Sequence, residues 1–386
     1  MAVSSKVFVE RFGWRDCNEL LHPHSCGRSA LINVRRFIAS NAKYYIPVAL
    51  LHFLKRALQG YSLEVLLDAL SYYAQLIFGG LVNACLISTS VCALRQALGE
   101  FHLYTLLFVP SAFGAAFIAG VTPRVKRLQH TAIFQSLIES LLLQRGNPLT
   151  RALGASKTLQ TLLFMCCSAL ILHGKQRRLH NGFWFLTPDR MPPPDAAALT
   201  SCSHERDCGS HIAQGVRNYF LIGLAMDVFK MLIGCAKTGL WSLKQLRLES
   251  ATWLSCYMAI YRTSHCYLKR KPAASDSLKH IIASFLGGLS YLCYPKLSIL
   301  SYALLEAMRT LWNAYNKNKT NLKKQKSRFG YSDVIFPLAL AYLIHNYVFE
   351  PGKVSVLAGI IIDSTTANYA GNLQKRMRLL EPSSMG

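Results

Sequence analysis

Residues 284–296 read SFLGGLSYLCYPK, and residues 112–124 read AFGAAFIAGVTPR. Each stretch passes from an aromatic residue through a small pair and an apolar run to a proline and a cation. At an offset of 172, Phe113 aligns with Phe285, Ala115 and Ala116 with Gly287 and Gly288, Pro123 with Pro295, and Arg124 with Lys296. This is the pattern of a closely packed helix that proline stops and a cation anchors at a membrane surface. Upstream, at an offset of 174, Cys92, Leu94 and Arg95 align with Cys266, Leu268 and Lys269. Downstream the register is lost, since SLIES (136–140) fits LLEAM (304–308) only at another offset. Weak internal symmetry of this kind marks duplicated membrane proteins. The expectation is an all-α, polytopic transmembrane helical bundle of two related halves.

The composition agrees. Of 386 residues, 52% are hydrophobic and only 16% charged, against roughly 25% charged in soluble domains. Residues 69–94 and 101–123 contain no Asp, Glu, Lys or Arg, and uncharged runs of about 18 or more residues are candidate membrane helices. Further spans are expected at 158–172 and near 216–236, 249–263, 278–295, 297–312 and 333–350, for six to nine in all. Residues 131–143 read as an amphipathic helix. The net charge is +24, but the cations cluster at the ends of apolar runs: Arg124, Lys126 and Arg127; Lys175, Arg177 and Arg178; Lys269 to Lys271; Lys317 to Arg328. That placement suits topology-setting cations and anionic lipid headgroups. No basic and aromatic residues interleave as a nucleic-acid motif would require, so the expected partners are membrane lipids and not nucleic acid.

The chain divides into a Cys/His-containing segment (1–43), a first helical half (44–173), a polar Pro/Cys/His linker (174–214) with Pro192 to Pro194, a second half (215–350), and a short apolar run with a basic tail (351–386). The charged N-terminus lacks the apolar core of a cleaved signal. The twelve cysteines are scattered, several in apolar runs, so no disulfide framework is expected.

Small residues recur at a spacing of four: Gly80, Ala84, Ser88 and Cys92; Ala112, Ala116 and Gly120; Ser284 and Gly288, with Gly287 beside it. In a helix each set lies on one face, where small residues let backbones approach within lipid, whether inside the chain, with a partner protein or with a second copy. Membrane helices are rich in Gly and Ala in any case, so one row alone carries little. Asp227, with Lys230 three residues on, forms a candidate intramembrane polar site; a neutralised structural pair is the plainer reading. Cys17, His22, His24 and Cys26 can ligate a metal, as can Cys202, His204, Cys208 and His211. Zinc takes four such donors, but neither spacing is a recognised finger, and no cofactor is assigned. No Gly-x-Ser-x-Gly and no phosphate-binding glycine loop occurs, so enzymatic activity is not expected.

LLHPHSC (20–26), followed by YYIPVALL (44–51), and SLKHIIASFLGGLSYLCYPKLSILSYALLEAM (277–308) resemble the transmembrane protein 135 family, also described as peroxisomal membrane protein 52. The matching residues are His280, Ile281, Ile282, Ala283, Phe285, Gly288 and Lys296, and SCSHERDCGSH (201–211) sits where the family has its own Cys- and His-rich stretch. That family is related to the Tim17, Tim22 and Tim23 type of membrane proteins. The resemblance implies Tim-like halves, residence in mitochondrial or peroxisomal membranes, and a non-enzymatic role in lipid or metabolite transport and organelle homeostasis. Two alternatives stay open: a scaffold or subunit of a protein-import or organelle-fission complex, and a metal-dependent membrane enzyme.

Overall fold

The computed structural model describes residues 5–58, 60–180, 182–188, 202, 204, 207–238, 246–270, 275–319 and 330–380. The chain is all-α, with no strand among the described residues. Pro192 to Pro194, most of the run Lys317 to Arg328 and the end of the tail lie outside them.

The chain folds as two compact units, Met1–Gln144 with Lys326–Gly386, and Arg145–Gln325. The first contains α1 (Ser5–Phe8), α2 (Cys17–Leu20), α3 (Cys26–Ala57), α4 (Leu63–Leu98), α5 (Leu103–Leu106), α6 (Phe108–Ala115), α7 (Pro123–Gln144), α14 (Tyr331–Phe349), α15 (Val356–Thr365) and α16 (Tyr369–Leu380). The second contains α8 (Pro148–Ala155), α9 (Lys157–Gln176), α10 (Cys208–Thr238), α11 (Glu249–Lys269), α12 (Asp276–Gly287) and α13 (Leu297–Lys319).

Local chemistry sets the helix ends. The Ser62 hydroxyl accepts from the Val65 amide to start α4, and Gly99, at φ 78°, ends it by returning its amide to the Arg95 carbonyl. Ser156, Ser275 and Ser355 cap α9, α12 and α15 in the same way. Such caps satisfy amides that have no partner within the helix.

The two opening stretches have the same local form. α6 gives way to a 3-10 helix at Ala116–Gly120, and α12 gives way to one at Gly288–Cys293. Ala116 and Gly288 are 172 residues apart, the offset of the sequence match. Pro123 and Pro295 then precede or open the next long helix.

Packing repeats as well. In the first unit α3 pairs with α4, α4 with α6, and α14 with α6, with the 3-10 turn and with α7; in the second, α10 pairs with α11, α11 with α12, and α9 with α12, with its 3-10 turn and with α13. Thus α14 stands to the first unit as α9 stands to the second. The buried positions Thr161, Phe164, Met165, Cys167, Ser168, Ala169, Ile171, Leu172 and Gly174 of α9 map at offset 172 onto Asp333, Phe336, Pro337, Ala339, Leu340, Ala341, Leu343, Ile344 and Asn346 of α14, all buried.

This relation corrects the expected domain boundaries. In chain order each half ends with its own last helix, α9 or α14. In space those two helices are exchanged: α9 packs in the second unit and α14 in the first. The boundary at 43 falls within α3, which runs unbroken through Pro47. The expected linker contributes the last turn of α9 and the first two turns of α10, and the expected tail forms α15 and α16, which pack on α14.

Among the described residues, four helical stretches are long and apolar enough to cross a membrane: Leu63–Leu98, Leu103–Gly120, Lys157–Gln176 and Tyr331–Phe349. This fits an integral membrane protein with fewer clear spans than six to nine. The other long helices carry more polar sequence; α7, for example, holds Arg124, Lys126, Arg127 and Glu139.

The core of the second unit is an aromatic and hydroxyl network. Phe164 stacks on Tyr291 at 5.1 Å and meets Trp253 and Tyr257 edge-on at 6.3 Å. The Trp184 indole N–H donates to the Tyr257 hydroxyl at 3.0 Å, and Ser168 shares a 2.5 Å bond with the same oxygen while donating to the Ser284 carbonyl at 2.7 Å. The Tyr257, Ser168 and Trp184 polar groups are thus paired with one another or with backbone, as a dry interior favours.

Candidate metal centres and buried charges

The first Cys/His group gathers at one end of the α3–α4 pair. Cys17 opens α2, His22 lies in the following turn, Cys26 is the first residue of α3, and Cys92 comes from the last part of α4. The donor atoms of these four all lie within 4.8 Å of one another. The His22 Nδ1–H donates to the His24 carbonyl at 2.6 Å, which turns Nε2 toward the group, 3.4 Å from Cys92 Sγ. Hydrogen bonding with Cys92 holds the Cys17 thiol down at about 6, against the opposing effect of burial. A cavity of about 240 Å³, lined partly by Ser29, Asn33, Ser88, Gln96 and Tyr369, opens beside Cys26 and Cys92.

The second group has the same plan. Cys202 and His204 precede α10, Cys208 is its first residue, and Cys266 lies near the end of α11. These donors also fall within 4.8 Å of one another. His204 Nε2 is 3.5 Å from Cys208 Sγ and 3.6 Å from Cys266 Sγ, and the Cys202 and Cys208 sulfurs are 3.7 Å apart. Arg270 donates to Cys208 Sγ at 3.3 Å and draws that thiol down to about 7.

The structure therefore changes both expected ligand sets by one residue. His24 contributes its carbonyl and leaves its ring exposed. His211 stacks on the His204 ring at 4.5 Å instead of joining the donors. Cys92 and Cys266, from the neighbouring long helices, take their places. All six cysteines of the two groups are free thiols.

Asp227 does not face an open path. Its Oδ2 accepts from the Ser250 and Ala251 amides at 2.9 and 3.0 Å, and Lys230 lies 3.2 Å from Oδ1 and 2.5 Å from Ser250 Oγ. The residue before α11, Leu248, has no capping side chain. Asp227, on α10, supplies the missing cap and places a negative charge at the positive end of α11.

Two other acids are buried among cations. Asp333 meets Lys126 at 3.0 Å and His130 at 3.7 Å in the first unit. Glu306 meets Arg309 at 2.7 Å and His180 at 3.6 Å in the second. Burial pushes the His180 imidazole down to about 4, so that ring is neutral at physiological pH and Arg309 supplies the counter-charge.

The small-residue rows divide. Gly80, Ala84, Ser88 and Cys92 are all buried on one face of α4, and a Cβ on Gly80 would overlap the Asn41 side chain of α3. Ser284 and Gly287 are buried, and a Cβ on Gly288 would stand 2.5 Å from the Met165 Cα. The middle row does not pack as expected: Ala112 is half-buried, while Ala116 and Gly120 are exposed. The chain tightens to a 3-10 turn at Ala116, so a spacing of four no longer keeps one face. Gly114 makes the close approach instead: a Cβ there would stand 2.7 Å from Ile87 Cγ1 and 3.0 Å from the Asn83 carbonyl oxygen. Gly223, which also lies outside the rows, brings α10 against the start of α11.

No family model matches the chain, and no solved structure matches it.

Proposed function

We propose that this chain is a non-enzymatic multi-pass protein of a mitochondrial or peroxisomal membrane that takes part in lipid or metabolite transport and organelle homeostasis. The observation that carries the reading is the distribution of polarity. Leu50, Leu51, Leu70, Phe78, Phe113 and Leu292 face outward, whereas His130, His280, Glu306 and Asp333 are buried within the helices. Apolar exteriors suit lipid, and ionisable groups inside membrane bundles commonly serve substrate or proton paths. The resemblance of LLHPHSC and HIIASFLGG to the transmembrane protein 135 family supplies the organelles. Four protein donors in each Cys/His group leave no open position for a reacting ligand, which favours a non-enzymatic role.

A scaffold in an import or fission complex is the second reading. It is favoured by Ala116 and Gly120, small residues exposed on an apolar segment with nothing within 4 Å of a Cβ on Gly120.

The test is carbonate extraction of tagged chain from separated mitochondria, peroxisomes and endoplasmic reticulum, followed by flux from proteoliposomes loaded with fluorescent lipid or a small anion. Retention in the first two membranes, with flux that Asp333→Asn reduces in folded protein, is the expected result. Release into the soluble fraction overturns the membrane reading. Membrane retention without flux, with complex formation lost in Ala116→Leu, transfers the assignment to the scaffold.

A further inference from the structure

We propose that the chain binds two structural zinc ions, one at each end-of-helix Cys3His group: Cys17, His22, Cys26 and Cys92, and Cys202, His204, Cys208 and Cys266. The proposal stands apart from the membrane function and does not depend on it.

The first argument is metric. Zinc binds thiolate at about 2.3 Å and imidazole at about 2.0–2.1 Å in a tetrahedron. Those lengths set sulfur–sulfur edges of about 3.8 Å and sulfur–nitrogen edges of about 3.6 Å. In the first group the His22 Nε2–Cys92 Sγ edge is 3.4 Å, in the second the Cys202–Cys208 sulfur edge is 3.7 Å and the two His204 nitrogen–sulfur edges are 3.5 and 3.6 Å, and every other edge of both groups is within 4.8 Å. A disulfide needs a sulfur separation of about 2.05 Å, and three thiols in each group would leave one over.

The second argument is duplication. His22 and His204 each stand four residues before a cysteine that opens a long helix, Cys26 of α3 and Cys208 of α10. In both units the fourth donor lies near the C-terminal end of the paired helix, Cys92 of α4 and Cys266 of α11. Both are followed by x-Leu-cation, Arg95 and Lys269. The same four-point arrangement has formed at corresponding places in two diverged helical sets. Stray cysteines in an apolar helix give no reason for the repeat, because burial alone does not require a histidine or a particular end of the helix.

The surroundings suit the ion. His22 donates its other ring nitrogen to a backbone carbonyl, the contact that usually fixes a zinc-binding imidazole. Binding converts up to three thiols to thiolates and releases their protons to solvent. A zinc ion with three thiolates carries one net negative charge, which Arg95 faces in the first unit and Arg270 in the second. Soft thiolates with imidazole in tetrahedral array select zinc over the hard cations. Each ion would staple the segment entering a helix pair to both of its helices.

The experiment is metal analysis of the full chain purified in detergent from zinc-replete cells, with Cys26→Ser, Cys208→Ser and Cys85→Ser alongside. The expected content is two zinc per chain, one in each of the first two variants and two in the third. Less than one zinc per chain, or two zinc in Cys26→Ser or Cys208→Ser, overturns the proposal. Should either variant fail to fold, the unaltered chain is stripped and titrated with cobalt. Two equivalents with thiolate-to-cobalt charge transfer and tetrahedral absorption support the pair; a single equivalent, or absorption without the charge-transfer band, overturns it.

Discussion

Cys92 and Cys266 occupy equivalent places in two helix pairs: each lies near the end of the second long helix and faces the cysteine that opens the first. They align at offset 174 in sequence and meet Cys26 and Cys208 in space. The histidines nearest in sequence do not share this role, and that difference is measurable.

Replacing His22 by Ala is expected to lower zinc content from two ions per chain to one, while His24→Ala leaves it at two. His24 serves through its carbonyl, which any residue supplies. In the second group, His204→Ala removes one ion and His211→Ala none, since the His211 ring stacks on the ligand ring and is not one of the four donors. Metal analysis of the four variants checks the ligand sets directly; loss of zinc in His24→Ala would contradict the geometry.

Chelation should lower the melting temperature of detergent-solubilised chain, and added zinc should restore it. Binding to the folded state alone stabilises by about 4 kcal/mol when free ion exceeds the dissociation constant a thousandfold. A melting temperature indifferent to chelator at equilibrium would argue against coupling between metal and fold.

Gly288→Ala is expected to destabilise the second unit by about 1–3 kcal/mol, the usual cost of overpacking. The obstructing atoms are Met165 backbone, which cannot rotate away. Gly120→Ala, with nothing within 4 Å, should change stability by less than about 0.5 kcal/mol. Thermal melts of the pair separate internal packing from a free face. Gly288→Leu is therefore a folding variant and a poor probe of complex formation.

Asp227→Ala removes the cap of α11 and should cost about 1–2 kcal/mol. Any loss of flux in this variant should track loss of folded protein. A stable Asp227→Ala with abolished flux would return the residue to a polar path.

Stability should fall as pH is lowered from about 6.5, the ordinary value of histidine, to about 4, where His180 titrates in the fold. In that window the unfolded chain takes up a proton that the buried ring refuses, so protons favour unfolding. Below about 4 this contribution is constant. His180→Gln should flatten the acid slope in pH-dependent melts, and an unchanged slope would rule out this ring as its source.

Much of this arrangement was legible in the sequence. The uncharged runs gave the all-α class, and the Phe-to-Pro match located two segments that share an α-to-3-10 transition. Gly80 and Gly288 are legible because regular helices keep a spacing of four on one face, and Gly287 stands beside that row. Ala116 and Gly120 misled because that regularity stops at the 3-10 turn. Gly114 and Gly223 carried no spacing signal; their close contacts arise from where a neighbouring helix crosses. The metal groups were half legible. Three donors of each lie close in sequence, but the fourth comes from another helix, and a local reading substitutes the nearest histidine. The alignment of Cys92 with Cys266 held the missing information. Asp227 was legible as an acid in an apolar run, but its purpose depends on Leu248 being unable to cap α11.

The exchange of α9 and α14 sets an order of completion during synthesis. Every described helix of the second unit, from α8 to α13, has been made by residue 319. The first unit begins earlier, yet its buried face against α6 and α7 stays open until α14, at Tyr331–Phe349, emerges. The N-terminal helices must therefore wait through the translation of the whole second unit, with the apolar surface around Leu106, Ile118 and Ile133 still lacking the α14 residues that complete its core. A ribosome that stops between the two last helices leaves the later unit finished and the earlier one incomplete.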